Sequence, residues 1–361
     1  GRVPALDVPA GESREVTLGV RRPRLKPGAE YFLKVTFSLA ADARWAPRGH
    51  VVAWDQYLMP YEVPPAPARN VNALPALKLT ESEEGFTVKG ARFTLRFGRR
   101  SGALESYEFD GRRLLAGPLA PNFWRAPTDN DRGNRMPQVL AVWRDAGARR
   151  SVEGVASEQL SPQAVRVTAR STLPAGSSEY RNVYTVYGDG SVEVESSLAP
   201  GAGLPDLPRF GLQLQIPGEL GAVEWYGRGP HENYWDRNTG AAVGLHALPV
   251  ESLFVPYIEP QENGNRTDVR WVTFTNRAGF GLRARGLPLL YFSAWRFRPE
   301  ELETRKHSFE IVPSDDITVN LDYRQMGVGG DNSWGAWPHR EYRLAAKPYS
   351  YKFRLEPVGS P

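Results

Sequence analysis

Apolar and polar residues alternate with a period of two along most of this chain, which predicts short β-strands with one buried face. The pattern is clearest over 182–198, where it continues on both sides of a Gly-Asp-Gly turn and predicts a hairpin. Residues 85–115 repeat it as a meander, whereas residues 136–147 alone show the spacing of a helix face. Further strand candidates are 165–173, 210–216, 269–276, 289–295, 308–312, 317–323 and 349–355. So many strands predict a large antiparallel β-sandwich over 78–361.

The first 60 residues carry the same alternation in a smaller region. Strands are predicted over 13–20, 31–39 and 50–58, with turn signals at hairpin spacing between them. These strands are too few to close a sandwich, so residues 1–60 resemble part of an immunoglobulin-like domain. Residues 61–77 are rich in proline and are interpreted as a semi-rigid linker.

Composition agrees with a globular protein and excludes several function classes. Of the 361 residues, 41% are hydrophobic and 24% are charged, which is ordinary for a globular domain. The net charge is +4 and the arginines are scattered, so the concentrated basic stripe of a nucleic-acid binder is missing. No apolar run approaches the ~20 residues of a membrane span. Cysteine is absent, which excludes disulfides and cysteine-based sites and fits the cytoplasmic location that we expect.

Polar and aromatic residues concentrate in four segments that are interpreted as loops. These four loops are 121–134, 225–240, 257–271 and 325–337. They combine Trp with Arg, Asp, Glu and Asn. Carbohydrate sites need such residues, because aromatic faces cover the C–H surfaces of a sugar while charged and amide groups bind its hydroxyls.

Charged residues in these loops have an ordinary structural explanation, which is that they form salt bridges that hold long loops. The candidate pairs are Arg125 with Asp129 or Asp131, and Arg228 with Glu232 or Asp236. The acidic residues of the first loop do not have the spacing of an EF-hand calcium site. We therefore expect these charges to be structural.

His231 and Glu232 are adjacent and form a candidate acid/base pair, although a single histidine in a proline-flanked loop is more often structural. The histidines lack the HExxH spacing of a zinc site. Neither a GxSxG nucleophile motif nor a phosphate-binding glycine loop is present. A glycosidase needs two carboxylates, but sequence spacing alone cannot pair any two of these.

Four sequence blocks, one in each loop, resemble the C-terminal region of the large bacterial β-galactosidases of glycoside hydrolase family 2. They read RAPTDND, GRGPHENYWDR, PQENGNRTDVRW and MGVGGDNSW, in that order. The segment WAPRGHVVAWDQ at 45–56 is similar to the end of that family's preceding immunoglobulin-like domain. The resemblance therefore covers essentially the whole chain.

The resemblance implies an all-β fold, in which a partial immunoglobulin-like sheet is followed by a large antiparallel β-supersandwich like that of galactose mutarotases. It also implies retaining hydrolysis of terminal β-D-galactose residues. The family's catalytic glutamates and its Mg²⁺ and Na⁺ ligands belong to a (β/α)₈ barrel that has no counterpart in this chain. We therefore expect no catalytic residue and no metal or other cofactor in this chain. Its expected partners are the barrel, in the same chain or in another subunit, and a galactoside, within an oligomeric enzyme.

The resemblance assigns a substrate-binding role to one residue, Trp334, because the matching tryptophan of the family reaches into the barrel's active site. The residues expected to support its loop are Met326, Gly329, Gly330, Asp331 and Asn332. Without the barrel we expect this loop to be mobile or collapsed, with Asp331 and Asn332 hydrogen-bonded to its backbone.

Two other functions stay open from the sequence. The first is a non-catalytic carbohydrate-binding or assembly module. The second, weaker one is an aldose mutarotase-like enzyme, in which His231 and Glu262 would transfer protons. Glu232 is a further candidate of uncertain role.

Overall fold

The computed structural model describes residues 1–3, 6–332 and 334–359. It divides the chain into two compact units, Gly1–Arg69 and Asn70–Pro361. No helix of the described residues is long and apolar enough to cross a membrane. The two units are described separately.

The first unit contains one antiparallel hairpin. Strand β1 (Phe32–Ser38) pairs with strand β2 (Val51–Leu58), and Phe32 lies opposite Leu58. The strand predicted over 13–20 is wrong: these residues are all described, have no regular secondary structure and pair with no neighbouring strand.

The apolar side chains named here in this unit are not covered by a packed layer. Val16, Leu18 and Val20 are each about two-fifths exposed, and Phe37 of β1 is 56% exposed. An alternating pattern produces a stable strand only when a partner strand and a packed layer cover its apolar face. Among the described residues of this unit, such a layer is absent, which explains why the predicted strand does not form.

The second unit is built almost entirely from antiparallel strands. They are β3 (Lys78–Glu81), β4 (Gly85–Lys89), β5 (Phe93–Gly98), β6 (Leu104–Phe109), β7 (Arg112–Arg113), β8 (Gly117–Asn122), β9 (Ser151–Ser161), β10 (Ala164–Leu173), β11 (Ser178–Tyr187), β12 (Val192–Ala199), β13 (Arg209–Pro217), β14 (Ala222–Gly229), β15 (Ala242–Pro249), β16 (Arg266–Thr275), β17 (Gly281–Trp295), β18 (Asp316–Gln325) and β19 (Tyr349–Val358). The all-β fold class is confirmed.

Helices in this unit are short. The α-helices are α1 (Asp129–Gly133), α2 (Met136–Val139) and α3 (Glu301–Thr304), and the 3₁₀-helices are Val71–Ala73, Ala141–Trp143, Val250–Leu253, Ser308–Glu310 and Arg340–Tyr342. The helix predicted over 136–147 is therefore a single α-turn followed by a 3₁₀-turn. The strand predicted over 308–312 is wrong: Ser308–Glu310 is a 3₁₀-turn, Ile311 packs on a small apolar cluster, and Phe309 is 84% exposed.

The strands form two sheets. Strands β3 to β7 make a five-stranded meander in chain order. The other sheet has twelve strands, nine of which lie in the order β15-β14-β16-β17-β19-β12-β11-β10-β9. Strand β17 is long enough to have two sets of neighbours: Gly281–Leu287 pairs with β19, whereas Tyr291–Trp295 pairs with β18. Through β18 the sheet continues to β13 and β8. This branch brings the ends of β8, β13, β17 and β18 together.

Aromatic packing stabilises the centre of this sheet. The Phe210 ring is fully buried and stacks on Phe123 at 6.1 Å between centroids, with Tyr351 edge-on at 5.3 Å. Such aromatic pairs contribute beyond the area that they bury. Phe210 thus connects β13 to the chain that enters the first loop.

Phe210→Ala should lower the free energy of unfolding by about 3–5 kcal/mol, since it leaves a cavity among packed rings. The matched control is Phe309→Ala, the same substitution at an exposed ring, which should change it by less than about 1 kcal/mol. Urea unfolding of the second unit measures both. Equal losses in the two variants would contradict this description of the core.

Candidate functional site

Arg125 connects the first loop to the last. Its side chain is fully buried and pairs with Asp131 through two hydrogen bonds, Nε to Oδ2 at 3.0 Å and Nη2 to Oδ1 at 2.9 Å. The same guanidinium donates to the carbonyl oxygens of Met326 and Gly327, the latter at 2.9 Å. A buried guanidinium needs partners for its N–H groups. Arg125 therefore holds the backbone of the 325–337 loop against the 121–134 loop.

Helix α1 sets the position of Asp131. The Asp131 backbone N–H donates to the Thr128 hydroxyl at 3.2 Å, while Asp131 Oδ2 accepts from the Thr128 backbone N–H at 3.0 Å. This reciprocal pair is a capping box, which satisfies two N–H groups that the first helical turn leaves open. The spacing Thr-x-x-Asp in the sequence is a signal for this helical turn within the segment predicted as a loop.

A second buried group, here called the Glu262 cluster, consists of Glu262, Arg209, Gln325 and Asp322. Glu262 Oε1 accepts from Arg209 Nη2 at 2.9 Å and from Gln325 Nε2 at 3.0 Å. Arg209 Nε lies 3.3 Å from Asp322 Oδ2. Burial raises the pKa of Asp322 to about 7, with Arg209 opposing the rise and Glu262 adding to it. Two buried carboxylates thus share one guanidinium.

Glu232 joins the second loop to the third. Its Oε1 accepts from Arg237 Nη2 at 2.6 Å and from the Tyr257 hydroxyl, and its Oε2 accepts from the Gly264 backbone N–H at 2.7 Å. Both carboxylate oxygens are therefore used in holding backbone and side chains together. This arrangement leaves Glu232 poorly placed to exchange protons with a ligand.

The predicted pairing of Arg228 with Glu232 or Asp236 is wrong. Arg228 Nε lies 2.6 Å from Asp268 Oδ2 instead. Arg228 belongs to β14 and Asp268 to β16, which are hydrogen-bonded neighbours, so a cross-strand partner is nearer than residues further along the loop. Asp236 accepts from the Gly329 backbone N–H at 2.7 Å and thereby ties the second loop to the fourth.

His231 takes part in neither of its predicted pairs. Its side chain is exposed, whereas Glu232 and Glu262 are buried. All three residues are described, and no hydrogen bond or ion pair joins the imidazole to either carboxylate. The acid/base pair with Glu232 and the proton-transfer pair with Glu262 are therefore not formed.

The Asn332 side chain bonds to the backbone of the loop that carries Trp334, with Ser333 outside the described residues. Asn332 Oδ1 accepts from the backbone N–H groups of Trp334 and Ala336, each at 3.1 Å. The Trp334 side chain is 79% exposed. The prediction of a collapsed loop is wrong, since the Trp334 side chain stays exposed. The mobility of the loop stays a prediction.

Two glycines let this loop lie directly on helix α1. A Cβ atom on Gly133 would be 2.8 Å from Gly335 Cα and 2.9 Å from the Trp334 carbonyl oxygen. Gly335 itself has a φ of +118°, which other residues rarely adopt. Asn130 Nδ2 also donates to the Asn332 carbonyl oxygen at 3.1 Å. The base of the Trp334 loop is thus attached to the helix that Arg125 holds.

Met326 and Gly329 fill the base of the loop. Met326 is fully buried, and its backbone N–H donates to the Pro208 carbonyl oxygen at 2.8 Å. Gly329 is the residue that donates to Asp236. Both lie where Arg125 and Asp236 anchor the backbone, so their position agrees with a supporting role.

Gly330 and Asp331 lie nearer the tip. A Cβ atom on Gly330 would be 2.5 Å from the Ala336 carbonyl oxygen, so the two arms of the loop approach closely there. Asp331 Oδ1 lies 2.8 Å from His339 Nε2, and this hydrogen bond raises the pKa of His339. Asp331 therefore bonds to a side chain rather than to the backbone that was predicted.

The described residues contain no group of three or more His, Asp or Glu side chains arranged to hold a metal ion. The carboxylates of the first loop illustrate the reason. Asp131 is paired with Arg125, and Asp129 Oδ2 accepts from Gln261 Nε2 at 3.1 Å. These acidic groups serve the structure of the loops.

The comparisons with known proteins agree with this arrangement. Residues 89–355 match the family model of the β-galactosidase small chain, and residues 1–60 match that of β-galactosidase domain 4. The chain belongs to the β-galactosidase small chain family.

Curated relatives extend the match. A β-galactosidase of Priestia megaterium is 40% identical over 333 residues, covering 91% of this chain and 32% of the relative. A β-galactosidase of Streptococcus thermophilus is 32% identical over 356 residues, covering 98% of this chain and 34% of the relative. The chain thus spans about a third of the length of the curated relatives it matches.

Solved structures of similar shape include a galactose 1-epimerase from Lactobacillus acidophilus NCFM. The match covers 80% of this chain and all of the epimerase, with 8% sequence identity and a TM-score of 0.43. A likeness at this level concerns the arrangement of strands alone.

Asp322 should make stability depend on pH. Its pKa is about 7 in the fold against an ordinary value of 3.8, so between these values the folded protein binds more protons than the unfolded chain. The free energy of unfolding should therefore fall as pH rises from about 4 to about 7, by up to about 1.4 kcal/mol per pH unit from this group.

Asp322→Asn should remove the pH dependence that comes from Asp322. The free energy of unfolding of this variant should therefore rise relative to that of the wild type as pH increases over this range. Urea unfolding at several pH values measures the difference. Asp315→Asn, at an exposed carboxylate just before β18, is the control and should keep the wild-type pH dependence. Parallel curves for wild type and Asp322→Asn would contradict the shared-guanidinium arrangement.

Arg125→Met should lower the free energy of unfolding by about 3–5 kcal/mol, because it leaves Asp131 buried without its partner. Arg132→Met removes a half-buried arginine that pairs with the exposed carboxylates of Asp129 and Glu259, and it should cost less than about 1 kcal/mol. Chemical denaturation of both variants gives the comparison. A loss at Arg125 no larger than that at Arg132 would show that the buried pair does not hold these loops.

Proposed function

We propose that this chain is part of a retaining β-galactosidase that hydrolyses terminal β-D-galactose residues, and that Trp334 forms one wall of its substrate site. The observation that carries the proposal is an indole that is 79% exposed on a loop whose backbone is hydrogen-bonded on both sides of it. The names of the curated relatives, which are β-galactosidases, supply the reaction.

An exposed tryptophan on an anchored loop is suited to binding rather than to packing. Its flat apolar face can cover the C–H surface of a galactose ring, while the N–H can donate to a hydroxyl or to a neighbouring domain. Asn332, Asp236 and Arg125 form hydrogen bonds with the loop backbone. Because these bonds already restrict the backbone, ligand binding costs little of its conformational entropy. Preorganisation of this kind supports a substrate-contacting role for Trp334.

The two catalytic carboxylates are proposed to lie outside this chain, in a (β/α)₈ barrel that also holds the Mg²⁺ and Na⁺ ions. Within this chain, Glu232 uses both oxygens on Arg237, Tyr257 and Gly264. Glu262 is buried against Arg209. Neither carboxylate is free beside Trp334 to act as nucleophile or as acid/base. The barrel is the proposed partner, in the same chain or another subunit of an oligomer.

The mutarotase-like alternative has no support from the site. His231 and Glu262 would have to face one bound sugar, yet the imidazole is exposed and the carboxylate is buried without contact between them. A carbohydrate-binding function that needs no barrel has a separate structural basis, which is a pocket away from His231.

The test is a chimera in which this chain replaces the matching third of the Priestia megaterium enzyme. Trp334→Ala in the chimera should lower kcat/KM for a chromogenic galactoside by about 5- to 150-fold, which corresponds to about 1–3 kcal/mol of lost aromatic contact. Trp334→Phe should restore part of the activity. Phe309→Ala removes another exposed ring and should leave kcat/KM unchanged.

The isolated chain provides the second arm of the test. It should show no hydrolysis of the same substrate, because the proposed carboxylates are elsewhere. Turnover by the isolated chain would contradict the assignment of catalysis to the barrel, and full activity of the Trp334→Ala chimera would contradict the role of Trp334.

A further inference from the structure

A pocket of about 180 Å³ opens at the place where the branched sheet brings several strand ends together. Asn122 at the end of β8, Gln213 of β13 and Trp295 at the end of β17 contribute to it, and Leu302 of α3 closes one side. Neither Trp334 nor His231 is among its lining residues. The pocket is therefore distinct from the proposed substrate-binding loop.

Two uncommitted acceptors face this pocket. Glu262 and Gln213 both line it. Glu262 uses Oε1 for Arg209 and Gln325, and Oε2 has no hydrogen-bond partner in the described part of the chain. The side-chain Nε2 of Gln213 donates to Asn320 Oδ1 at 2.9 Å. The side-chain Oε1 of Gln213 has no donor among the described residues. Acceptors held in place and left open in a pocket are suited to ligand hydroxyl groups.

Arg209 fixes the position of Glu262 in the pocket. Arg209 lines the pocket and is 1% exposed, its Nε lies 3.3 Å from Asp322 Oδ2, and its Nη2 donates to Glu262 Oε1 at 2.9 Å. A buried charge that is paired in this way holds its partner in one geometry. Arg209 therefore occupies Oε1 of Glu262 and leaves Oε2 as the oxygen available to a ligand hydroxyl.

Charges around the pocket nearly cancel. The cationic lining residues are Arg125, Arg144 and Arg209, and the anionic ones are Asp145, Glu262, Glu300 and Glu303. A phosphate would meet four like charges and three opposite ones, and a polyamine three like charges and four opposite ones. A neutral ligand that both donates and accepts hydrogen bonds meets neither repulsion nor an unpaired charge.

Tryptophans supply the apolar wall. Trp295 is 1% exposed and Trp124 is 7% exposed, and both line the pocket. Trp124 is held by its Nε1 hydrogen bond to Glu303 Oε1 at 2.9 Å, with the Arg144 guanidinium 4.8 Å above its ring. Fixed aromatic rings beside polar groups match a ligand with C–H faces and hydroxyl edges.

The volume limits the size of the ligand. A volume of about 180 Å³ is enough for a ligand of the size of one sugar ring. We propose that this pocket is a binding site for a single neutral monosaccharide, in which Glu262 and Gln213 accept hydrogen bonds from hydroxyls and the tryptophans cover the ring. The proposal does not depend on Trp334 or on a barrel.

The test uses the full chain and D-galactose, followed by saturation-transfer difference NMR, with glycerol as a control for unspecific hydroxyl binding. A single ring in a small pocket should bind with a dissociation constant in the millimolar range. Gln213→Leu should weaken binding about tenfold or more, because it removes the free acceptor at nearly constant volume. Gln215→Leu, on the same strand but outside the pocket lining, should bind like wild type.

Two further variants separate the outcomes. Glu262→Gln should also weaken binding about tenfold or more, and Gln213→Leu remains decisive if that variant fails to fold. Trp334→Ala should bind like wild type. Loss of binding in Trp334→Ala with retention in Gln213→Leu would assign the sugar to the loop and overturn the proposal. No binding of galactose, or binding no tighter than that of glycerol, would overturn it as well.

Discussion

The arrangement of the four loops depends on burying arginine side chains with enough partners. Arg125 brings a positive charge into the interior, where Asp131 and two backbone carbonyls of the last loop surround it. Moving a charge from water into the protein interior is unfavourable unless an opposite charge and hydrogen bonds compensate for the lost hydration. The loops can therefore reach this low-energy state only together, and the position of Trp334 follows from that joint requirement.

The same constraint connects the proposed substrate-binding loop to the pocket. Gln325 is the first residue of the 325–337 loop, and its side chain bonds to Glu262, which faces the pocket. Arg209 and Asp322 complete that cluster from strands β13 and β18. One polar interior thus supports two surfaces, an exposed indole and a recessed pocket. The fold places both at strand ends, where side chains are held by the sheet yet remain open to a ligand.

Sequence patterns predicted the secondary-structure elements that are determined by residues close together in the chain. The hairpin of β11 and β12 formed as expected because each strand buries alternate side chains, with Tyr184 opposite Val194. The segment 13–20 has the same alternation without a layer to cover it. The pairing of Arg125 with Met326, 201 residues away, leaves no periodic trace. The Glu262 cluster left no signal in the pattern either, because Asp322 lies on the same strand face as Thr318 and Asn320, at a position where the alternation expects a polar residue.

The central claim is that Trp334 contacts the galactoside in the assembled enzyme. The most direct measurement is an experimental structure of the chimera with the Priestia megaterium enzyme, bound to a non-hydrolysed galactoside analogue. The account predicts the indole within about 4 Å of the sugar ring, in van der Waals contact. An indole that points to solvent, or packs on protein away from the sugar, would contradict it.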